Sequence, residues 1–239
     1  MSLREVIARN LSDIQLRMAN AARRVGREPS AVRLVAVTKY AQLEWVRELV
    51  NLGQKDLGES RPQQLAERSR EFGPNVRWHL IGHLQRNKVE IILPRATLIH
   101  SVDSWRLLDA LQKEAVKLQA RARALIEINV SGEASKDGFQ IDELRKNSRK
   151  LLEYSHIEIA GLMTMAPQSD DPDDARPVFR ALHDFRNELT TLTDGGLNIP
   201  HLSMGMSGDF EVAIEEGSTL VRIGSSLFAG CEEAEIVRP

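Results

Sequence analysis

Val32-Arg-Leu-Val-Ala-Val-Thr38 is a short β-branched run, followed from Leu43 to about Leu52 by a helical pattern. The run does not alternate polar with apolar residues, which marks a strand buried on both faces, and the change of period marks the helix that covers it. Upstream, Leu3, Ile7, Leu11, Ile14, Met18, Ala21 and Val25 recur at steps of three and four, between a Ser2-x-x-Glu5 capping box and Gly26. That spacing predicts an amphipathic helix with both ends marked. Downstream, the same alternation predicts strands near 55–58, 77–81, 97–100, 123–129, 157–163, 199–203 and 219–223. Helical patterns lie between them near 62–71, 85–92, 104–120, 140–154, 173–193 and 208–215, with start signals at Ser104, Asp142, Pro172 and Asp173.

Eight strand-helix units with no Pro/Gly/Ser-rich linker predict an α/β fold, a single (β/α)8 barrel of the TIM type with an extra N-terminal helix, and one domain spanning 1–239. The opening helix is expected to pack where a final barrel helix is missing or short. An open doubly wound sheet would need a Gly-rich first turn, and residues 38–43 contain no glycine.

Composition narrows the function classes. The 239 residues include 32 basic and 34 acidic side chains, for a formal net charge of −2, so there is no global attraction to nucleic acid or anionic lipid. No window approaches the roughly 18 unbroken apolar residues of a membrane span, and the N-terminus lacks a secretory apolar block, so a cytosolic protein is expected. Cys231, the one cysteine, reads as a passive thiol with no zinc ligand set around it. The acidic run Asp170-Asp171-Pro-Asp-Asp174 reads as a solvated turn and helix start. A monomer is the default.

In a parallel barrel, ligands bind at the carboxyl ends of the strands. The residues predicted there are polar: Thr38-Lys39, Gly58-Glu59-Ser60, His79 through Gly82-His83, His100-Ser101, Asn129, Met163-Thr164, Ser203 and Arg222-Ile-Gly224. Lys39 stands out, because an amine at the rim of an apolar barrel either snorkels to solvent or serves as a nucleophile toward a carbonyl. Ser203-Met-Gly-Met-Ser207-Gly, with Gly224-Ser225-Ser226 on the next strand, has the small residues and hydroxyls of a phosphate-holding pair of loops. Closing the barrel makes the eighth strand a neighbour of the first. Pyridoxal 5′-phosphate (PLP), with an aldehyde and a phosphate on one ring, explains both features together, and Arg222 can then face the ring nitrogen. A phosphosugar aldolase without cofactor explains them less economically.

At these residues the sequence resembles the YggS-like pyridoxal phosphate homeostasis proteins. The similarity runs through Leu34-Val-Ala-Val-Thr-Lys39, Gly58-Glu59, Trp78-His-Leu-Ile-Gly-His-Leu-Gln-Arg-Asn-Lys88, His100-Ser-Val-Asp103, Ile128-Asn-Val-Ser-Gly-Glu-Ala-Ser-Lys-Asp-Gly138, Gly161-Leu-Met-Thr-Met165, Leu202-Ser-Met-Gly-Met-Ser207 and Val221-Arg-Ile-Gly224. The resemblance implies a barrel like the N-terminal domain of alanine racemase, with PLP held as an internal aldimine and no established catalysis. Carried over, it implies Lys39 as the aldimine lysine, Arg222 as the ring-nitrogen partner, and Ser203, Ser207, Gly224 and Ser225 at the phosphate. It also implies PLP-dependent apo-enzymes as recipients. Ser60 stands where the family commonly has asparagine.

Trp78, His79, Gln85, Asn87, Lys88, His100 and Lys136 are open between a ligand role and strand-end structure, and Met163, Met165, Met204 and Met206 are expected in the core. A racemase of this barrel needs a tyrosine base from a further domain. This chain has two tyrosines, Tyr40 beside Lys39 and Tyr154 in a helix, so a carrier is expected, with a low-efficiency racemase or decarboxylase as the alternative.

Overall fold

The computed structural model of the protein describes residues 1–133 and 137–234. In chain order the elements are α1 (Leu3–Arg24), β1 (Arg33–Val37), α2 (Leu43–Asn51), β2 (Asp56–Glu59), α3 (Pro62–Phe72), β3 (Arg77–Leu80), α4 (Val89–Ile92) and β4 (Ala96–Val102). They continue with α5 (Trp105–Lys117), β5 (Ala122–Glu127), α6 (Ile141–Asn147), β6 (Ile157–Met163), α7 (Arg176–Leu192), β7 (His201–Ser203), α8 (Phe210–Glu215) and β8 (Leu220–Ile223). The eight strands pair in parallel and in sequence order, and the barrel closes where Arg33 to Ala36 of β1 pair with Leu220 to Ile223 of β8.

Two apolar regions hold this closure. Inside, Val35, Leu98, Leu125, Ala160, Met163 and Leu220 pack together with Ile81, while a larger cluster fills the layer between strands and helices. Among the described residues no helix follows β8. The α1 helix takes that place: Asn10 donates from Nδ2 to the carbonyls of Leu227 and Ala229, and Trp45 of α2 stacks on Phe228 at a centroid distance of 5.9 Å. The Ser2–Glu5 capping box is present, so the first turn of α1 is satisfied before it packs.

Four expected boundaries move, for physical reasons. The seventh strand begins at His201 and not at Ile199, because Pro200 has no N–H to give a ladder. The pattern at 140–154 is α6 followed by a 3-10 segment, Ser148–Glu153, in which Ser148, Leu151 and Tyr154 are buried at the threefold spacing of that helix. The stretch at 85–92 likewise opens as a 3-10 turn, Arg86–Lys88, and the acidic run forms the turn Pro172–Ala175, with Asp171 accepting from the amide of Asp173. The core expectation holds for Met163 and Met204 and fails for Met165 and Met206, which lie past their strand ends and are 47% and 39% exposed. Cys231 is buried, and burial pushes its thiol up to about 11. Among the described residues no helix is long and apolar enough to cross a membrane.

Because α1 substitutes for the missing last helix, its buried face carries barrel stability. Ile14→Ala, at a position 1% exposed, is expected to cost about 2–5 kcal/mol in urea unfolding, whereas Leu16→Ala, 58% exposed, changes stability by about 0.5 kcal/mol or less. Equal effects at the two positions would contradict the packing described.

Candidate functional site

The strand ends converge on the mouth that β1 feeds through Thr38 and Lys39. Thr38 is fully buried and donates from Oγ1 to Glu59 Oε1 at 2.5 Å. Arg68 on α3 reaches under the same turn, donating to Thr38 O at 2.7 Å, Glu59 Oε1 at 2.6 Å and Ala41 O at 2.7 Å, and Gln64 donates to Lys39 O at 3.2 Å. The backbone on both sides of Lys39 is therefore fixed by side chains from one helix. Burial pushes the Glu59 carboxyl above its ordinary value, against the pull of Thr38 and Arg68. The Lys39 side chain is half-buried, its Nζ lies 5.0 Å from the centre of the Tyr40 ring, and no carboxylate among the described residues pairs with it. Ser60 lies under Gly82: a Cβ on that glycine would come within 2.5 Å of Ser60 O.

Across the seam, the loops after β7 and β8 face each other. Ser207 Oγ accepts from the Gly224 amide at 3.4 Å, and Asp209 shapes the first loop by accepting from the Met206 amide at 2.6 Å. Glycine is required at Gly205, which has φ +93° and where a Cβ would meet Ala213 Cβ at 2.5 Å; at Gly224 the fit is tight, since a Cβ would meet Val37 Cβ and Val37 O at 3.1 Å. The second contact places the β8 loop directly against the end of β1. Among the described residues, no protein group accepts the amide N–H of Ser207, Gly208, Ser225 or Ser226. Unpartnered amides on small residues are what an anion site is built from.

Arg222 rises from β8 into the same mouth, 5% exposed. It donates from Nη1 to Ser203 Oγ at 2.6 Å and from Nη2 to Thr164 O at 3.1 Å. Burial pushes its guanidinium down to about 10, with Glu127 and Asp209 pulling the other way, so it remains a cation at neutral pH. Ser203, expected at the phosphate, is wholly buried, and its hydroxyl lies between Arg222 Nη1 at 2.6 Å and His100 Nδ1 at 2.8 Å.

Two features were not foreseen. His100 continues through His79 to Asp56, at 2.9 and 3.0 Å, forming a polar line through the barrel. Glu127, at the end of β5, is 6% exposed, and burial together with Asp103 and Asp137 pushes its carboxyl up to about 7 while Arg222 opposes. The signal was present in both cases: a charged or polar side chain two residues from an inward apolar one, as with Leu125 and Glu127, points into a barrel. His83 Nδ1 lies 3.0 Å from Asp103 Oδ2 and 3.7 Å from Asp137 Oδ2 on the same rim, half-exposed. Asn87 and Lys88 lie in the 3-10 turn Arg86–Lys88, with Gln85 the residue that opens it, while Lys136 lies outside the described residues.

The alanine racemase N-terminal domain family matches residues 10–231. A pyridoxal phosphate homeostasis protein of Aquifex aeolicus is 41% identical over 219 residues, covering 91% of this chain and 95% of the relative. The structure of PipY from Synechococcus elongatus, with PLP bound, superposes with a TM-score of 0.81 at 31% identity, covering 93% of this chain and 100% of that one. An alanine racemase of Clostridium difficile shares the fold at a TM-score of 0.72 and 16% identity, over 94% of this chain and 56% of the racemase.

The raised carboxyl of Glu127 makes stability depend on pH. Between its ordinary value of 4.5 and about 7 the folded chain holds a proton that the unfolded chain releases, so stability falls as pH rises through that window, by up to roughly 3 kcal/mol. Glu127→Gln is expected to remove that loss, so that the variant gains on the wild type between pH 5 and pH 8 in urea unfolding. A difference that does not change with pH would contradict the burial of this group.

Proposed function

Because this chain belongs to the alanine racemase N-terminal domain family, and within it to the pyridoxal phosphate homeostasis proteins, we propose that it binds PLP covalently at Lys39 and serves PLP homeostasis as a carrier. One observation carries the reading: a lysine whose backbone is clamped by α3 and a set of unpartnered amides lie on either side of the β8–β1 seam. The residues fit the cofactor chemically. Ser207, Gly224 and Ser225 would take the phosphate through backbone amides and the Ser207 hydroxyl, and Arg222 would give a hydrogen bond to the ring nitrogen. We assign Ser203 to holding Arg222, not the phosphate. When bound, PLP supplies an aldehyde that condenses with primary amines. A guanidinium keeps its own proton at neutral pH, so the ring nitrogen beside it stays an acceptor and the ring a weak electron sink, which suits holding and transfer more than carbanion chemistry.

The tyrosines support a carrier. Tyr154 donates its hydroxyl to Asp109 at 2.9 Å, on the α5 side of the outer layer, and Tyr40 is 80% exposed beside Lys39. We extend the proposal to a monomer of one domain over 1–239, acting in the cytosol and passing PLP to PLP-dependent apo-enzymes. The second reading, a low-efficiency racemase or decarboxylase, has Glu127 in its favour, a carboxyl that exchanges its proton near neutral pH beside Arg222. Cα-proton exchange of amino acids in deuterium oxide at ordinary turnover rates would favour it over the carrier.

Protein loaded with PLP is expected to absorb in the visible, and borohydride reduction followed by peptide mass mapping should place the phosphopyridoxyl group on Lys39. Lys39→Ala should lose the covalent link while keeping much of the phosphate affinity, and Arg222→Ala should shift the absorbance and weaken binding. Label on another lysine would overturn the assignment.

A further inference from the structure

We propose that Asp56, His79, His100 and Ser203 are positioning residues for the cofactor ring: a one-way hydrogen-bond relay that crosses the barrel interior and fixes how Arg222 is presented at the mouth. The role assigned to Arg222 rests on the PLP reading above; the relay itself does not. Its members are 5%, 3%, 0% and 0% exposed in that order, with Arg222 at 5%. The links are Asp56 Oδ1 to His79 Nε2 at 3.0 Å, His79 Nδ1 to His100 Nε2 at 2.9 Å, His100 Nδ1 to Ser203 Oγ at 2.8 Å, and Ser203 Oγ to Arg222 Nη1 at 2.6 Å. The third link spans from β4 to β7, strands that do not pair.

Each end forces the same direction. Arg222 can only donate, so Ser203 Oγ accepts there and gives its proton to His100 Nδ1. At the far end, burial alone would raise the Asp56 carboxyl, but hydrogen bonds from Arg77 and His79 outweigh it and keep it ionised, an acceptor only. His79 must then carry its proton on Nε2, leaving Nδ1 to accept from His100 Nε2. Both imidazoles are held neutral by burial, His100 strongly so. For His79 burial outweighs the opposing pull of Asp56, and the positive charges of Arg33 and Arg77 add to it; for His100 the charge of Arg222 acts in the same direction. The two tautomers deduced from opposite ends agree, with no link left over.

An apolar filling of this layer would usually stabilise as well or better, and a polar line is tolerable only when every member is satisfied. The relay therefore gives orientation. It holds the Arg222 guanidinium between Ser203 Oγ and Thr164 O, leaving its remaining N–H groups for a ligand.

Two measurements on the full-length protein test this. Histidine 15N NMR of the protein without PLP should show His79 and His100 both neutral with the proton on Nε2 at pH 7; a proton on Nδ1 of either ring, or a mixture, overturns the relay whatever the fate of the PLP reading. With PLP added, Ser203→Ala and His100→Leu should weaken binding about tenfold and shift the visible absorbance, with Lys39 still labelled by borohydride. Ser203→Thr and His100→Asn, which keep the Arg222 and Ser203 partners respectively, should restore most of both. If the Ser203→Ala variant folds normally and keeps wild-type affinity and spectrum, the positioning role is overturned. Label absent from Lys39 in the wild type overturns the PLP reading alone, and leaves the tautomer result to decide the relay.

Discussion

Everything at the mouth depends on the seam between β8 and β1. Four register pairs close it, from Arg33 with Leu220 to Ala36 with Ile223, and the next residue, Gly224, lies close against Val37, where a Cβ would come within 3.1 Å. That contact brings residues 39 and 224 to one rim, although nearly the whole sequence lies between them. The α1 helix matters for the same reason: it packs on the chain after β8 and on α2, and so covers the seam from outside.

The interior is divided by depth. Apolar side chains fill part of it, and the line from Asp56 to Arg222 fills much of the rest with groups whose hydrogen-bonding capacity is used. The cost of burying these groups is offset only while the whole line persists, since removing one member leaves another unpaired in a low-dielectric interior. On the rim side, Arg68 does comparable work for Lys39 by tying the Thr38 and Ala41 carbonyls and the Glu59 carboxylate to one guanidinium. The two arginines thus fix the two sides of the mouth, Arg68 beneath the turn that carries Lys39 and Arg222 between Ser203 and Thr164.

The strands were legible because a parallel barrel writes each one as an apolar run between helical periods, and eight such runs leave little room for another architecture. Lys39 and the Ser207 and Gly224 loops were legible because their chemistry is unusual at strand ends. Boundaries slipped where the deciding factor was a missing N–H, as at Pro200, or a threefold period, as at Ser148, Leu151 and Tyr154. A strand-end serine can point up to a ligand or down into the barrel, and no local spacing shows that Ser203 Oγ meets Arg222 and His100. His79 and His100 lie 21 residues apart, and no local spacing shows that their rings meet at 2.9 Å. Glu127 was missed because its shift comes from Asp103, Asp137 and burial, none of which is adjacent in sequence.

The central claim is that one ligand spans the seam, attached to an amine from β1 and held by amides from the β7 and β8 loops. A crystal structure of the protein grown with PLP tests it most directly. Density is expected to run continuously from Lys39 Nζ to the cofactor, with phosphate oxygens on the amides around Ser207 and Ser225 and the ring nitrogen toward Arg222. A phosphate seated elsewhere on the barrel, or a cofactor joined to a different lysine, would contradict it.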